Sequence, residues 1–318
     1  MTAYILRRLL WAVVVILLVT VFVFLLMRLL PGDPLFLFMA EAEITNLSLE
    51  RLDQLRHEYG LDKPLVVQYL DWIVNTLHGD LGYSIYNQAK LSTLLIQRFP
   101  VSLEISVISW IIGHVIGLAV GIAAAVRRGK WIDSTFMGGI YIGITIPNFW
   151  LAILLIYLMG LKFDWLPLSG WTSPMADLGL HVKQLVMPVI CLSLMGMAST
   201  ARLMRSSMLE VLRQDYTRTA WSKGLRERVV VLRHALKNGF IPVITVLGMG
   251  LAHIFGGSFI IETLFSIPGM GKLLVNSLYA HDYAVVQFSA LLAAFMMVIS
   301  NVLVDISYGY FDPRIRYN

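Results

Sequence analysis

Residues Leu9–Met27 read LLWAVVVILLVTVFVFLLM, nineteen positions with no Asp, Glu, Lys or Arg. A bilayer core about 30 Å thick is crossed by roughly 20 helical residues rising about 1.5 Å each, so this run is long enough to span one. Arg7 and Arg8 precede it as they would a signal peptide. The run exceeds a signal core, however, and Leu30-Pro31-Gly32-Asp33-Pro34 stands where a small-residue cleavage site would lie. An uncleaved first transmembrane helix over 1–30 is expected.

Further charge-poor runs follow outward from it: Ile105–Val126, Ser134–Leu161 interrupted at Pro147, Gln184–Ala201, Asn238–Ile261 and Ala284–Val304. They predict an all-α polytopic membrane protein with six transmembrane helices. Composition agrees. Of 318 residues 58% are apolar and 14% charged, against about 45–50% and about 25% in ordinary globular chains. Disorder is excluded, and so is a wholly soluble fold. The net charge of +5 reads as loop Lys and Arg on one membrane face, not as a nucleic-acid footprint. Cys191 is the only cysteine, so no internal disulfide and no cysteine metal cluster is available.

With the N-terminus inside, sixteen of the 25 Lys and Arg residues fall on inner segments, nine of them between Arg202 and Lys237. The positive-inside rule therefore puts both termini in the cytoplasm. Two connections are too long to be turns. The outer one, within 31–100, is expected to form a small helical extracytoplasmic cap. Pro64 opens a helix there that aligns Val66, Tyr69, Leu70, Ile73 and Leu77 before Gly79, and Ser48 caps an earlier one carrying Leu49, Leu52 and Leu55. The inner one, 202–237, is expected to hold two short helices hinged at Gly224. Met208, Val211 and Leu212 share one face, Tyr216, Thr219 and Ala220 another, and Val229, Val230, Leu232 and Leu236 resume the pattern. Apolar faces on such a loop require something to pack against. The remainder, 101–318, reads as a five-helix core carrying that loop.

Catalytic chemistry is absent. Gly269-Met270-Gly271-Lys272 resembles a phosphate loop only superficially, because Ser266 and Leu273 occupy positions that need Gly and Ser or Thr. No His-Glu-x-x-His pair exists, and Gly257-Ser258-Phe259 lacks the second glycine of a serine elbow. The chain is not expected to be an enzyme, nor to bind a cofactor or metal.

Within the spans, Gly113, Gly117 and Gly121 recur every four residues. Such a strip lets a second helix approach closely where lipid gives little drive for association. Ionisable groups at depth are costly and mark candidate paths. His114, His253 and Glu262, with Asn148 after Pro147, are the candidate translocation-path residues.

The inner loop carries a resemblance. Asp215-Tyr216-Thr217-Arg218-Thr219-Ala220-Trp221-Ser222-Lys223-Gly224-Leu225, then Arg233-His234-Ala235-Leu236-Lys237-Asn238 and Pro242, resembles the coupling-loop motif of bacterial ABC importer permeases of the dipeptide, oligopeptide and nickel group. The general motif opens with Glu-Ala-Ala six residues before its glycine, where this chain has Arg218-Thr219-Ala220. That departure is similar to the peptide subgroup. Other stretches agree in order, among them Gly60-Leu61-Asp62-Lys63-Pro64, Ile146-Pro147-Asn148-Phe149-Trp150, Phe265-Ser266-Ile267-Pro268-Gly269 and Asp312-Pro313-Arg314-Ile315-Arg316.

The resemblance implies a permease subunit in a bacterial inner membrane that pairs with a second homologous permease. It also implies two cytoplasmic ATPases holding ATP and Mg, and an extracytoplasmic solute-binding protein. Asp215, Tyr216, Arg218, Thr219, Ala220, Lys223, Gly224 and Leu225 would form the ATPase-coupling loop. Peptides are the favoured cargo, with nickel, another metal chelate or glutathione as alternatives on the same scaffold. A stand-alone secondary transporter or channel is the alternative of a different class, and it would move solute without ATPases.

Overall fold

The computed structural model describes residues 2–29, 54, 57, 62–84, 86–253 and 259–311. The described chain is helical apart from one two-stranded hairpin, Tyr83–Ser84 (β1) against Ala89–Lys90 (β2), antiparallel with Tyr83 facing Lys90. The first helix, α1 (Thr2–Leu29), contains the run read above. The helix expected after Pro64 is α2 (Leu65–Leu77). Pro64 caps it, and Gly79 follows its end at φ +82. The stretch expected to start at Ser48 lies outside the described residues.

α3 (Leu91–Val126) is longer than the charge-poor run it contains. Glu104 bounds that run and Arg98 lies beyond it, but neither stops the helix. Pro100 is carried inside at the cost of one backbone hydrogen bond. α4 (Trp131–Thr145) and α5 (Asn148–Lys162) meet at 102°. Ile146, the residue before Pro147, is pushed to an extended backbone (φ −76°, ψ 122°), as a following proline demands. The second half of α5, Ile156–Lys162, is π-helical.

α6 (Leu178–Val211) runs unbroken through Arg202 and Arg205, ten residues beyond the run that ended at Ala201. Thus the first face expected of the inner loop, Met208 and Val211, belongs to this long helix. There follow α7 (Asp215–Ser222), α8 (Glu227–Gly239, bent 53° against the next helix), α9 (Ile241–His253), α10 (Phe259–Leu264), α11 (Met270–Tyr279) and α12 (Tyr283–Phe311). Among the described residues four helices are long and apolar enough to cross a membrane, or six if each bent pair is one span.

α3 and α6 run parallel and form the axis of the bundle, positions 113, 117 and 121 of the one meeting 193, 197 and 201 of the other in order. At one end, Leu91 and Leu94 pack with Met270, Leu273, Val285 and Phe288. At the other, Ala125 packs with Met204, Met208, Val231, Ala235 and Val243. These are the hairpin end and the elbow end. Between them the two backbones nearly touch. A Cβ on Gly113 would stand 2.5 Å from the Ser193 carbonyl oxygen, one on Gly117 2.5 Å from that of Met197, and one on Gly121 2.6 Å from that of Ala201.

Candidate functional site

The elbow is built from the end of α6 downward. After Val211 the chain turns into α7, and the Thr217 hydroxyl donates to the Val211 carbonyl at 3.0 Å. Thr217 and Ala220, three residues apart, are the buried face of α7. Tyr216 and Thr219, expected inward, point out. Gly224 then reverses the chain at φ +75, a left-handed conformation that costs other residues roughly 1–2 kcal/mol. No atom lies within 4 Å of where its Cβ would be, so the demand there is purely conformational.

On the return, Val230–Ala235 is π-helical and buries Val230, Val231 and Ala235. Bonds from i to i+5 widen the turn. The inward set is therefore not the Val229, Val230, Leu232 and Leu236 of an α-helical period. Asn238 closes the elbow by donating its side-chain amide to the Tyr216 hydroxyl at 2.8 Å.

What the elbow leaves outside is equally specific. Tyr216, Trp221, Leu225, Val229 and Leu232 are 37–48% exposed. Asp215, Arg218, Lys223 and Gly224 are exposed too, with Arg218 3.7 Å from Asp215 across one helical turn. The result is an apolar and aromatic surface edged with charge, on a stem anchored to α6. Nearly two turns before the end of α6, Arg205 grips Asp133 at the start of α4 with two bonds of 2.7 Å, and Asp133 also accepts from the Gly129 amide at 3.1 Å. α6, from which the elbow hangs, and α4 are thus joined by charge-assisted bonds, which sequence spacing did not indicate.

The candidate path residues are dispersed. His114 is buried between α3 and α6, its Nδ1 2.6 Å from the Thr200 hydroxyl and its ring edge-on to Trp110. Asn148 is half-buried at the bend between α4 and α5. His253 ends α9, and its side chain lies outside the described residues. Glu262 has no solvent exposure. It accepts from the Ser102 hydroxyl at 2.7 Å and from the amides of Gly271 at 2.7 Å and Lys272 at 3.1 Å.

Ser102 in turn accepts from the Met270 amide at 2.7 Å. The amides that look like a phosphate loop in sequence are filled by this carboxylate and its neighbour. Nearby, Glu104 receives His181 Nε2 at 3.0 Å and Trp171 Nε1 at 3.3 Å, which straps the α5–α6 connection onto α3.

Two family matches cover nearly the whole chain. Residues 117–317 match the family described as binding-protein-dependent transport system inner membrane component, and residues 1–106 match its N-terminal region. The chain belongs to that family. It is a permease subunit of the inner membrane and not an enzyme.

This permease is 37% identical over 340 residues to the dipeptide transport system permease protein DppB of Escherichia coli K12, covering 100% of this chain and 99% of that one. It is 36% identical over 320 residues to the oligopeptide transport system permease protein AppB of Bacillus subtilis 168, covering all of both. A chain of the inward-facing MetNI methionine ABC transporter shares the fold at TM-score 0.51 and 17% identity, over 67% of this permease and 95% of that chain.

Proposed function

We propose that this permease carries di- and oligopeptides into the cell by alternating access, driven by two cytoplasmic ATPase subunits that dock on the elbow and hold the ATP and Mg²⁺. A second homologous permease completes the path, and an extracytoplasmic solute-binding protein delivers cargo at the hairpin end. Six spans rest on the six charge-poor runs, and both termini and the elbow in the cytoplasm on the distribution of Lys and Arg. In this reading 1–30 is the first span, 31–100 the extracytoplasmic segment and 101–318 the transporting core.

The observation that carries the reading is the elbow itself. A hinged helix presents Tyr216, Trp221 and Leu225 outward while hanging from the continuous α6 through Thr217. A partner that changes shape on binding nucleotide can bias two states only by contacting such a loop differently in each. The peptide reading draws on the similarity to the dipeptide and oligopeptide permeases. Of the candidate path residues the proposal keeps Asn148 and His253, because His114 and Glu262 are committed to hydrogen bonds within the chain.

Reconstitution tests it. Proteoliposomes holding the complete transporter should take up peptide only with ATP, and the chain alone should carry none. Gly224→Val should insert normally yet lose uptake tenfold or more, whereas Gly224→Asn, which tolerates positive φ, should retain most of it. Peptide flux through the lone chain would overturn the proposal.

A further inference from the structure

α2 has two apolar faces, and among the described residues only one is covered. On the covered face, Phe24 of α1 packs against Tyr69 at 5.4 Å and Trp72 at 6.0 Å between ring centroids, and Trp72 reaches Phe288 of α12 at 5.7 Å. The Tyr69 hydroxyl is 2.9 Å from that of Thr20, and Arg28 Nε donates to Gln68 at 2.9 Å. The other face aligns Val66, Leu70, Val74 and Leu77, which are 69, 54, 50 and 81% exposed. A polar edge of Gln68, Asp71 and Asn75 lies away from that stripe, with Asp71 held by Lys63 at 2.7 Å.

The depth of α2 is fixed by what it touches. Phe24 and Thr20 stand three and seven residues before Met27, the last residue of the charge-free run. At 1.5 Å per residue that is about 4–5 Å and about 10 Å below its end. A helix bonded at those levels sits beside the span and not above it. At the same level of α1, Leu25, Leu26 and Leu29 are themselves 39, 40 and 76% exposed. An apolar stripe at that depth, with the charges turned to the opposite edge, matches a helix lying in the boundary between headgroups and acyl chains.

We propose that α2 is an interfacial membrane helix whose Val66–Leu70–Val74–Leu77 stripe is covered by phospholipid of the leaflet at the hairpin end. In this reading α2, the described helix of the segment expected to form the cap, lies against lipid. Naming that leaflet extracytoplasmic rests on the orientation proposed above; the lipid contact does not.

Spin labels placed singly at Leu70, Leu77 and Asn75, on the full chain in its native assembly within nanodiscs of phosphatidylethanolamine and phosphatidylglycerol, test it. Cys191 is fully buried, so it can stay in place, with unsubstituted protein as the labelling blank. Labels at Leu70→Cys and Leu77→Cys should collide with oxygen several-fold more than with a water-soluble nickel chelate, and a label at Asn75→Cys should show the reverse. Strong collision with the nickel chelate at Leu70 and Leu77 would mean an aqueous docking surface. Weak collision with both reagents would mean a protein partner or another part of this chain. Either result overturns the proposal and leaves the transport assay above unaffected.

Discussion

Glu262 shows how this chain tolerates a carboxyl group that water does not reach. Burying such a group unpaired is prohibitive, but here a hydroxyl and two amides converge on it. The amides belong to the first turn of α11, where unpaired N–H groups and the helix dipole favour an anion. There is no room for more: a Cβ on Gly269 would overlap the Glu262 carboxyl and the Ser102 hydroxyl, and one on Gly271 would stand 2.6 Å from the Phe259 Cα. Glu262→Ala should therefore cost about 2–4 kcal/mol by stranding these donors. Glu262→Gln, which keeps one acceptor, should cost about half as much. The temperature at which the detergent-purified protein loses monodispersity measures both. An alanine variant melting with the parent would show that the carboxylate anchors nothing. The sequence marked Glu262 as costly but not its partner, because Ser102 is 160 positions away and no local pattern joins them.

At the scale of elements, the close pairing of α3 with α6 depends on three glycines. Gly117→Val would place its Cβ about where the Met197 carbonyl oxygen already stands, at 2.5 Å. That neighbour is backbone, so the helices must part, and overpacking of this kind costs about 1–3 kcal/mol. Gly139→Ala, on an open face of α4 with nothing within 4 Å, should leave stability unchanged or raise it by up to about 1 kcal/mol, since Ala favours a helix over Gly. Equal melting of the two variants would remove the glycine strip from the account.

The strip was legible because its spacing of four is local to one helix, while the helix facing it was not. Helix ends were misread where charge was taken for a terminus. Arg202 closes an apolar run, yet α6 continues past it, and one turn on the Arg205 guanidinium is held by Asp133 of α4. The inward face of α8 was missed for another reason: a π-helical turn breaks the 3.6-residue period on which face assignments rest.

For the molecule as a whole, orientation decides whether the elbow can receive work at all, since the ATPases of the proposed importer are cytoplasmic. Three substitutions on the buried Cys191 background read it directly. Lys63, whose side chain is 49% exposed, and Tyr279, 78% exposed, stand at the hairpin end. Arg128 lies exposed in the turn between α3 and α4 at the elbow end. A membrane-impermeant maleimide should label Lys63→Cys and Tyr279→Cys in intact spheroplasts and should reach Arg128→Cys only in inverted vesicles. The charge asymmetry that sets this expectation acts during insertion, when moving Lys or Arg across the bilayer is costly. It is thus independent of how the elbow folds. Labelling of Arg128→Cys in sealed spheroplasts would place the elbow on the outer face, out of reach of any cytoplasmic ATPase, and Tyr216, Trp221 and Leu225 would then have to meet a partner of another kind.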